Sequence, residues 1–363
     1  MLKNMKKAFH YCNLPTEAMK RIRGRIYIKT NDTSTAVECA TRIFGISSVS
    51  PAKQTTSNID DIAKTALEVA ANTMPTNSSF AVRCHRVGQH TYTSLDVCRK
   101  IGSEIQTKLK EKNLTVNLTK PDHAVKVEVR NEEAFVYAET IQGQGGFPLG
   151  SQAKTVCLLS GGIDSPVACW LVMKRGSPTV PIYIDNDPYT DERTRQKAID
   201  TAKKLREWTA GTPNKIYIIP NGKNIKTIQE KAPKKFTCLL CKRLMYRIAE
   251  QIAENEKALG IVTGEAIGEQ ASQTITNLLA IDEAATRFPI HRPLLGFDKT
   301  ETEVIARKIG TFQISTQKAQ GCTAAPCQPA TRAKLQAVKE AEANLNMEDL
   351  VQKAIQEVQI IPL

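Results

Sequence analysis

No stretch of this 363-residue sequence stays apolar for the roughly 18 to 20 residues that a membrane-spanning helix needs. The first ten residues, Met1 to His10, are polar and Lys-rich, and no apolar run follows them. A secretory signal is therefore not expected, and the sequence reads as a cytoplasmic protein without a membrane partner. Internal repeats and low-complexity segments are lacking. The ten cysteines are too sparse and too irregular for a disulfide framework, which favours thiol or metal chemistry. Six of them, Cys12, Cys39, Cys84, Cys98, Cys157 and Cys169, stand singly and read as small buried hydrophobes.

What is present is an ordinary globular balance, 41% hydrophobic and 24% charged residues, in a chain two to three times the length of a typical domain. Two or three domains are predicted. Fifty Lys and Arg against 37 Asp and Glu leave a net charge of +13, shared by both halves of the chain, which suits a polyanionic partner such as nucleic acid.

The first 50 to 55 residues read as a small α+β unit: a strand at 25–30, a helix at 35–44 with Val37, Ala40, Ile43 and Phe44 on one face, and a strand at 46–50. The basic run Lys20, Arg21, Arg23 and Arg25 leads into the first strand. A helix is predicted over 59–72, with Asp60 and Asp61 in its first turn, then a strand over 79–86 and a helix from Ser94 capped by Thr93 or Ser94. Two alternating strands follow at 124–130 and 134–139. The Gly/Pro-rich segment 143–150 reads as an interdomain connection. Beyond it, strands at 155–159, 180–184, 215–219 and 259–263 alternate with helices at 165–175 and 191–208, the pattern of a doubly wound α/β domain with a parallel sheet.

The strongest chemical signal is Val156-Cys-Leu-Leu-Ser-Gly-Gly-Ile-Asp-Ser-Pro-Val-Ala168. An apolar strand ends in Ser160-Gly161-Gly162, and a helix opens near Asp164 and Ser165 with Pro166 in its first turn. Glycines permit close approach of a polyphosphate, and helix-start amides and serine hydroxyls can donate to it. The segment lacks the Gly-Lys-Ser/Thr of a Walker A loop, which argues against transfer of a terminal phosphate. It resembles the PP-loop of ATP pyrophosphatases, which split ATP between its α and β phosphates. Asp164 then holds Mg²⁺ or orients the loop, and Tyr183 to Asp185 mark a place for the adenine.

Two further resemblances extend this one. Phe80-Ala-Val-Arg-Cys-His-Arg-Val-Gly-Gln-His-Thr-Tyr-Thr-Ser94, with Pro121-Asp122 and Val127-Glu-Val-Arg130, resembles a THUMP domain, a tRNA-binding module, and the likeness makes Arg83, Arg86 and His90 candidate RNA phosphate contacts. Thr263-Gly-Glu-Ala-Ile-Gly-Glu-Gln-Ala-Ser-Gln-Thr274 and Arg292-Pro-Leu-Leu-Gly-Phe-Asp-Lys299 resemble the ThiI-type 4-thiouridine synthetases. That resemblance covers essentially the whole chain. It implies a ferredoxin-like unit at 1–55, THUMP at 56–142, a linker at 143–152 and a PP-loop domain at 153–363. It also implies ATP on Ser160, Gly161, Gly162, Ser165, Gly264 and Gln270, and Lys299 meeting charge that develops on phosphate or uridine.

Many bacterial members carry a C-terminal rhodanese domain that delivers sulfur. With Leu363 as the last residue, an archaeal-like form without that domain is expected. Cys238-Leu-Leu-Cys241 places two thiols one helical turn apart, and Cys322, in Gly321-Cys-Thr-Ala-Ala-Pro, resembles the segment bearing the family's catalytic cysteine. Three thiols suit an iron–sulfur cluster, 4Fe–4S or 3Fe–4S, with one open iron. Zinc with Cys327 as a fourth ligand, a metal-free persulfide and disulfide cycle, and a structural CxxC stand as alternatives. The implied reaction adenylates C4 of uridine 8 in tRNA and replaces its oxygen with sulfur from sulfide or a persulfide carrier. A PP-loop enzyme acting on another nucleobase or a small carbonyl compound with structural zinc is one rival, and a non-catalytic tRNA-binding protein another. Family members are often dimers, which the resemblance carries to this chain as a homodimer, although no sequence feature requires one.

Overall fold

The computed structural model describes residues 1–363 apart from 16–18, 23 and 213, so Arg23 of the basic run lies outside the described residues. The chain divides into two compact units. One comprises Met1–Thr16, Arg42–Gly45 and Gln144–Leu363, and the other Glu17–Thr41 and Ile46–Gly143. Among the described residues no helix is long and apolar enough to cross a membrane.

In chain order the elements begin with helix α1 (Leu2–Tyr11), hairpin strands β1 (Met19–Ile22) and β2 (Arg25–Ile28), helix α2 (Thr33–Arg42) and the short β3 (Ser48–Val49). They continue with β4 (Lys53–Thr56), α3 (Ile59–Thr73), β5 (Ser79–Val87), α4 (Ser94–Lys108), β6 (Thr115–Val116), β7 (His123–Arg130), β8 (Glu133–Tyr137) and β9 (Ile141–Gln142). The smaller unit is built on a five-stranded sheet in the order β4-β8-β7-β5-β6.

Local chemistry starts its two main helices. Asn58 accepts from the amides of Asp60 and Asp61 at the head of α3, and Thr93 and Asp96 form a reciprocal capping box at the head of α4. Ile62, Val69, Val97, Ile101 and Ile105 from these helices bury against Val82, Val125, Val127, Val129 and Val136 of the sheet. The opposite face of β7 is not left to solvent. Glu128 is buried there, accepting from Arg25 at 2.5 Å and from Tyr27 at 3.3 Å on β2, with Arg130 beside it.

The larger unit opens with α1, whose Met5 and Phe9 are buried. This segment reads in the sequence as a polar Lys-rich end, because the two buried residues lie among three lysines and an exposed His10. After the Gly-rich segment come β10 (Thr155–Leu158), α5 (Asp164–Lys174), β11 (Thr179–Asp185), α6 (Glu192–Glu207), β12 (Lys215–Pro220), α7 (Gly222–Lys231) and α8 (Thr237–Glu256). Then follow β13 (Ile261–Val262), α9 (Ile275–Asp282), β14 (Ile290–His291), α10 (Lys299–Ile309), α11 (Phe312–Ser315), α12 (Leu335–Glu342), α13 (Met347–Gln356) and β15 (Gln359–Pro362).

Six strands pair in the order β14-β13-β10-β11-β12-β15, parallel throughout except for the antiparallel edge strand β15. Helices cover both faces. α8, with Leu240, Leu244, Ile248 and Ile252, lies in one core cluster, and α5, α6 and α10 contribute to the other, around Val167, Trp170, Ala202 and Ala306. Each fully buried Leu or Ile contributes on the order of 2 kcal/mol. The segment 143–150 is packed rather than loose: Phe147 N donates to Lys174 O at 2.9 Å, and a Cβ at Gly146 would stand 2.1 Å from that same oxygen.

α8 is pinned by a buried charge. Arg243, 1% exposed, donates to Glu342 on α12 at 2.9 and 2.6 Å and to Glu283 at 2.7 Å. Removing one member of such a cluster strands the others. Arg243→Met is expected to cost about 3 kcal/mol or more in urea unfolding, and a loss below about 1 kcal/mol would show that the cluster contributes no net stability.

Candidate active site

β10 ends inside the sheet, where Leu159 N donates to Ile182 O at 2.8 Å, and the chain then turns over the strand ends through Ser160-Gly161-Gly162. The turn is shaped by its own hydroxyls. Ser165 Oγ accepts from Ser160 N at 2.8 Å and lies 2.9 Å from Ser160 Oγ, which accepts from Gly162 N at 3.2 Å. Ile163 at the N-cap of α5 makes no side-chain cap, so the first-turn amides have no side-chain acceptor there and are available to an anion. Gly161 must be glycine, because a Cβ would stand 2.8 Å from Lys197 Cβ.

Lys299, the first residue of α10, donates to both oxygens of Asp164, at 2.8 and 2.9 Å, and lies 3.5 Å from Glu269. Burial works to lower the Lys299 pKa, but the two carboxylates outweigh it and hold the ammonium above its ordinary value. The structure thus brings Ser160, Gly161, Gly162, Asp164, Ser165 and Lys299 together.

Gly264 forms the adjoining wall. A Cβ there would be 2.5 Å from Ser165 N, so the backbone after β13 lies directly against the first turn of α5. Gln270 is exposed at the start of a short 3₁₀ turn, whereas Gln273 is buried with its Oε1 unpartnered. Tyr183 is buried in the core beneath the strand ends. In the smaller unit Arg86 Nη1 lies 3.2 Å from His90 Nδ1, and His90 Nε2 lies 2.6 Å from Asn131 O, while exposed Arg83 turns aside to Leu118 O.

Next to Gly264, buried Glu265 accepts from Lys242 at 2.7 Å, Tyr246 at 2.6 Å, Arg292 at 2.8 Å and Thr263 at 3.1 Å. Burial alone would raise its pKa. The cations Lys242 and Arg292 reverse that and hold the carboxyl at about 2. Lys242 follows Cys241 on α8, so this network fixes the helix that carries the two clustered thiols.

Cys238 and Cys241 lie in the first turn of α8, partly buried, and Cys322 is exposed on the loop after α11. Burial pushes Cys238 up and Cys241 up to about 12. Asn221 Nδ2 lies 3.5 Å from Cys241 Sγ and 2.8 Å from Asn186 Oδ1, and Asn186 Nδ2 lies 3.9 Å from Cys322 Sγ, so one pair of amides spans Cys241 and Cys322. The Cys322 loop is tied down at several points. Ser315 Oγ donates to Gly162 O at 3.1 Å, Lys197 to Gln317 O at 2.9 Å, Thr194 Oγ1 to Gln320 O at 3.0 Å and Thr323 N to Tyr189 O at 2.9 Å. One loop therefore runs from the phosphate turn to the thiols. Sequence reasoning missed Ser315, Thr194, Lys197, Lys242 and Glu265: the first three sit in no marked motif, whereas Lys242 follows Cys241 and Glu265 lies within the 263–274 segment, neither singled out because its partners are distant in sequence.

The family model "Thiamine biosynthesis protein (ThiI)" matches residues 150–347, the THUMP domain model 56–139 and the ThiI ferredoxin-like domain model 1–50. A "probable tRNA sulfurtransferase" of Methanosarcina mazei is 40% identical over 365 residues, covering 100% of this chain and 90% of the relative. The chain belongs to the ThiI family. A second relative of the same description, from Methanothermobacter thermautotrophicus, is 39% identical over 97% of this chain and 89% of its own length. A solved 4-thiouridine synthetase in complex with RNA and bound ATP superposes with a TM-score of 0.91 at 31% identity, covering 99% of this chain and 93% of that one. The ThiI fold expected from the sequence, with ferredoxin-like, THUMP and PP-loop modules in that order, is the one present.

The Glu265 network has a pH signature. A carboxyl held at about 2 when folded, against an ordinary 4.5, adds stability that is present above about pH 4.5 and is lost as the pH falls through 2. Glu265→Gln is expected to destabilise the protein by about 3 kcal/mol at neutral pH and to flatten the acid limb of its stability profile. Wild type and variant losing stability in parallel below pH 4.5 would mean that Glu265 is not the linked group.

Proposed function

We propose that this ThiI-family chain is an ATP-dependent tRNA sulfurtransferase that adenylates C4 of uridine 8 and replaces its oxygen with sulfur, giving 4-thiouridine. The observation that carries the reading is the Cys322 loop, which is bonded through Ser315 to Gly162 of the phosphate turn and whose thiol lies 3.9 Å from Asn186 Nδ2, the side chain bonded to the Asn221 amide that donates to Cys241. Activation of an oxygen and delivery of sulfur then occur across one wall.

Ser160, Gly161, Gly162, Ser165 and the free amides of α5 hold the phosphates of ATP, with Gly264, Gln270 and Tyr183 on the nucleotide side. The C4 oxygen attacks the α-phosphorus, the bond to the bridging oxygen breaks, and pyrophosphate leaves. Lys299, released from Asp164, meets the charge that develops on the α-phosphate. A sulfide sulfur then adds at C4, the C4–O bond breaks and AMP departs with the oxygen, so no net oxidation is required. The base must leave its stack to be reached, and Arg83, Arg86 and His90 hold the RNA backbone at the smaller unit.

Asp164 and Glu269, carboxylates flanking Lys299 beside the phosphate turn, suit an Mg²⁺ that neutralises the leaving phosphates. Among the described residues no three His, Cys, Asp or Glu side chains form a ready-made metal cage. Three thiols, two in the first turn of α8 and one reached from Cys241 through a pair of amides, nevertheless form a donor set suited to an iron–sulfur cluster held by Cys238, Cys241 and Cys322. Such a cluster, held by these three cysteines, would supply an open iron site for sulfide. The charge pattern, +13 overall, suits a tRNA partner.

Pyrophosphate release is expected to rise at least tenfold when tRNA is added, about what substrate positioning provides. Cys322→Ala is expected to lower 4-thiouridine formation by about a hundredfold or more while sparing pyrophosphate release. Anaerobically purified wild type should contain iron and sulfide, both reduced in Cys238→Ala, Cys241→Ala and Cys322→Ala. Indifference to tRNA would instead favour a small substrate, and a fully active metal-free wild type would exclude the cluster.

A further inference from the structure

Asn221 stands at the N-cap of α7, yet its side chain caps nothing. Asparagine at this position ordinarily accepts from the second or third helical amide, an interaction worth about 1 kcal/mol. Here Asn221 Oδ1 accepts instead from Asn224 Nδ2 at 3.2 Å. Its Nδ2 donates to Asn186 Oδ1 at 2.8 Å and to Cys241 Sγ at 3.5 Å. Asn186 Nδ2 in turn faces Cys322 Sγ at 3.9 Å. Asn221 and Asn224 are 1% and 5% exposed, so these two amides are shielded from competing water, whereas Asn186 is half-buried and meets Cys322 at the surface.

The backbone fixes the same arrangement. Asn221 N donates to Asp185 O at 2.7 Å, locking the end of β12 to the end of β11 and bringing Asn221 beside Asn186. Three amides therefore form a directed chain, Asn224 to Asn221 to Asn186, whose side branches end on two sulfurs that are 81 residues apart in sequence. Cys241 sits on a rigid helix. Cys322 sits on an exposed loop, whose thiol would otherwise be free to rotate away.

We infer that Asn186 and Asn221 are positioning residues of the sulfur site, a paired-amide clamp that holds the loop-borne Cys322 thiol opposite Cys241 by N–H···S hydrogen bonds. The inference rests on the reading that these cysteines handle sulfur and names what places them. Each amide has its Nδ2 on one sulfur, and the oxygens that would repel a sulfur lone pair are engaged elsewhere, Oδ1 of Asn186 by Asn221 and Oδ1 of Asn221 by Asn224. N–H donors also favour a negatively charged sulfur, the form that both a nucleophile and a ligand require.

Substitution of Asn221 by Asp separates this role from a structural one. Aspartate has the same shape but sets a carboxylate oxygen against Asn186 Oδ1 at a site that is 1% exposed, so any role for Asn221 predicts a lower melting temperature; a merely structural Asn221 nevertheless predicts an unchanged thiol arrangement in the folded protein. The clamp predicts otherwise, because the donor amide becomes an acceptor facing Cys241 and Asn186. The full-length chain, freed of metal by a chelator, is oxidised with diamide, and the Cys322 disulfide to Cys241 or Cys238 is followed by peptide mass mapping. Wild type should form that bond, with Asn221→Asp and Asn186→Leu slowed about tenfold, the equivalent of one hydrogen bond to a charged group, each measured well below the variant's own melting temperature. Cross-linking at the wild-type rate in both variants, or none in wild type, would overturn the clamp. Iron content, assayed separately, reports on the cluster: wild type that cross-links but holds no iron leaves the clamp standing and removes the cluster.

Discussion

The absence of a side chain at Gly264 is the constraint on which the site turns. A Cβ there would overlap the backbone of Ser165, so only glycine lets the strand-end wall touch the first turn of α5. The next residue, Glu265, is thereby placed where it accepts from Lys242 on α8 and Arg292 after β14. Two consecutive residues thus link the phosphate turn to the helix that bears Cys238 and Cys241. A shift of the wall by even one ångström would break hydrogen bonds at both ends, since these are effective only within a few tenths of an ångström of their optimum.

That wall also explains the density of buried charge around α8. Glu265 with Lys242 and Arg292, and Arg243 with Glu342 and Glu283, are expensive to desolvate and contribute less net stability than their short distances suggest. What they provide is direction. An apolar contact tolerates sliding, whereas a guanidinium between two carboxylates has one satisfactory geometry. α8 is held by such contacts at its second turn and by Leu240, Leu244, Ile248 and Ile252 along its length, so its first turn presents Cys238 and Cys241 from a fixed platform.

Much of this was legible in the sequence where one residue type has a single physical use. Ser160-Gly161-Gly162 before a helix start, the valines of β7 and the Thr93 cap all took the form their chemistry predicts. Elements defined by long-range pairing were not legible. β14 has two residues and β15 pairs antiparallel with a strand more than 130 positions earlier, and neither carries a period long enough to read. Glu128 alternates with valines as an outward-facing residue should, yet it is buried because β2 covers that face of β7. Gly146 reads only as one of the turn-forming glycines of a connection, and it is sterically required by Lys174. In each case the deciding partner lies far away in the chain.

The sulfur side of the site shows the same logic from the opposite direction. Local rules would have Asn221 cap α7, Cys322 reside on a free loop and the exposed segment after α11 wander. Instead the loop is fastened at Gly162, Lys197, Thr194 and Tyr189, and Asn221 is turned from its helix toward Cys241. Departures from local preference that share one destination are more informative than any single motif, because each forgoes some stability that an ordinary surface would retain. Here the destination is the loop that carries Cys322, fastened to the phosphate turn at Gly162 and facing the amides that reach Cys241.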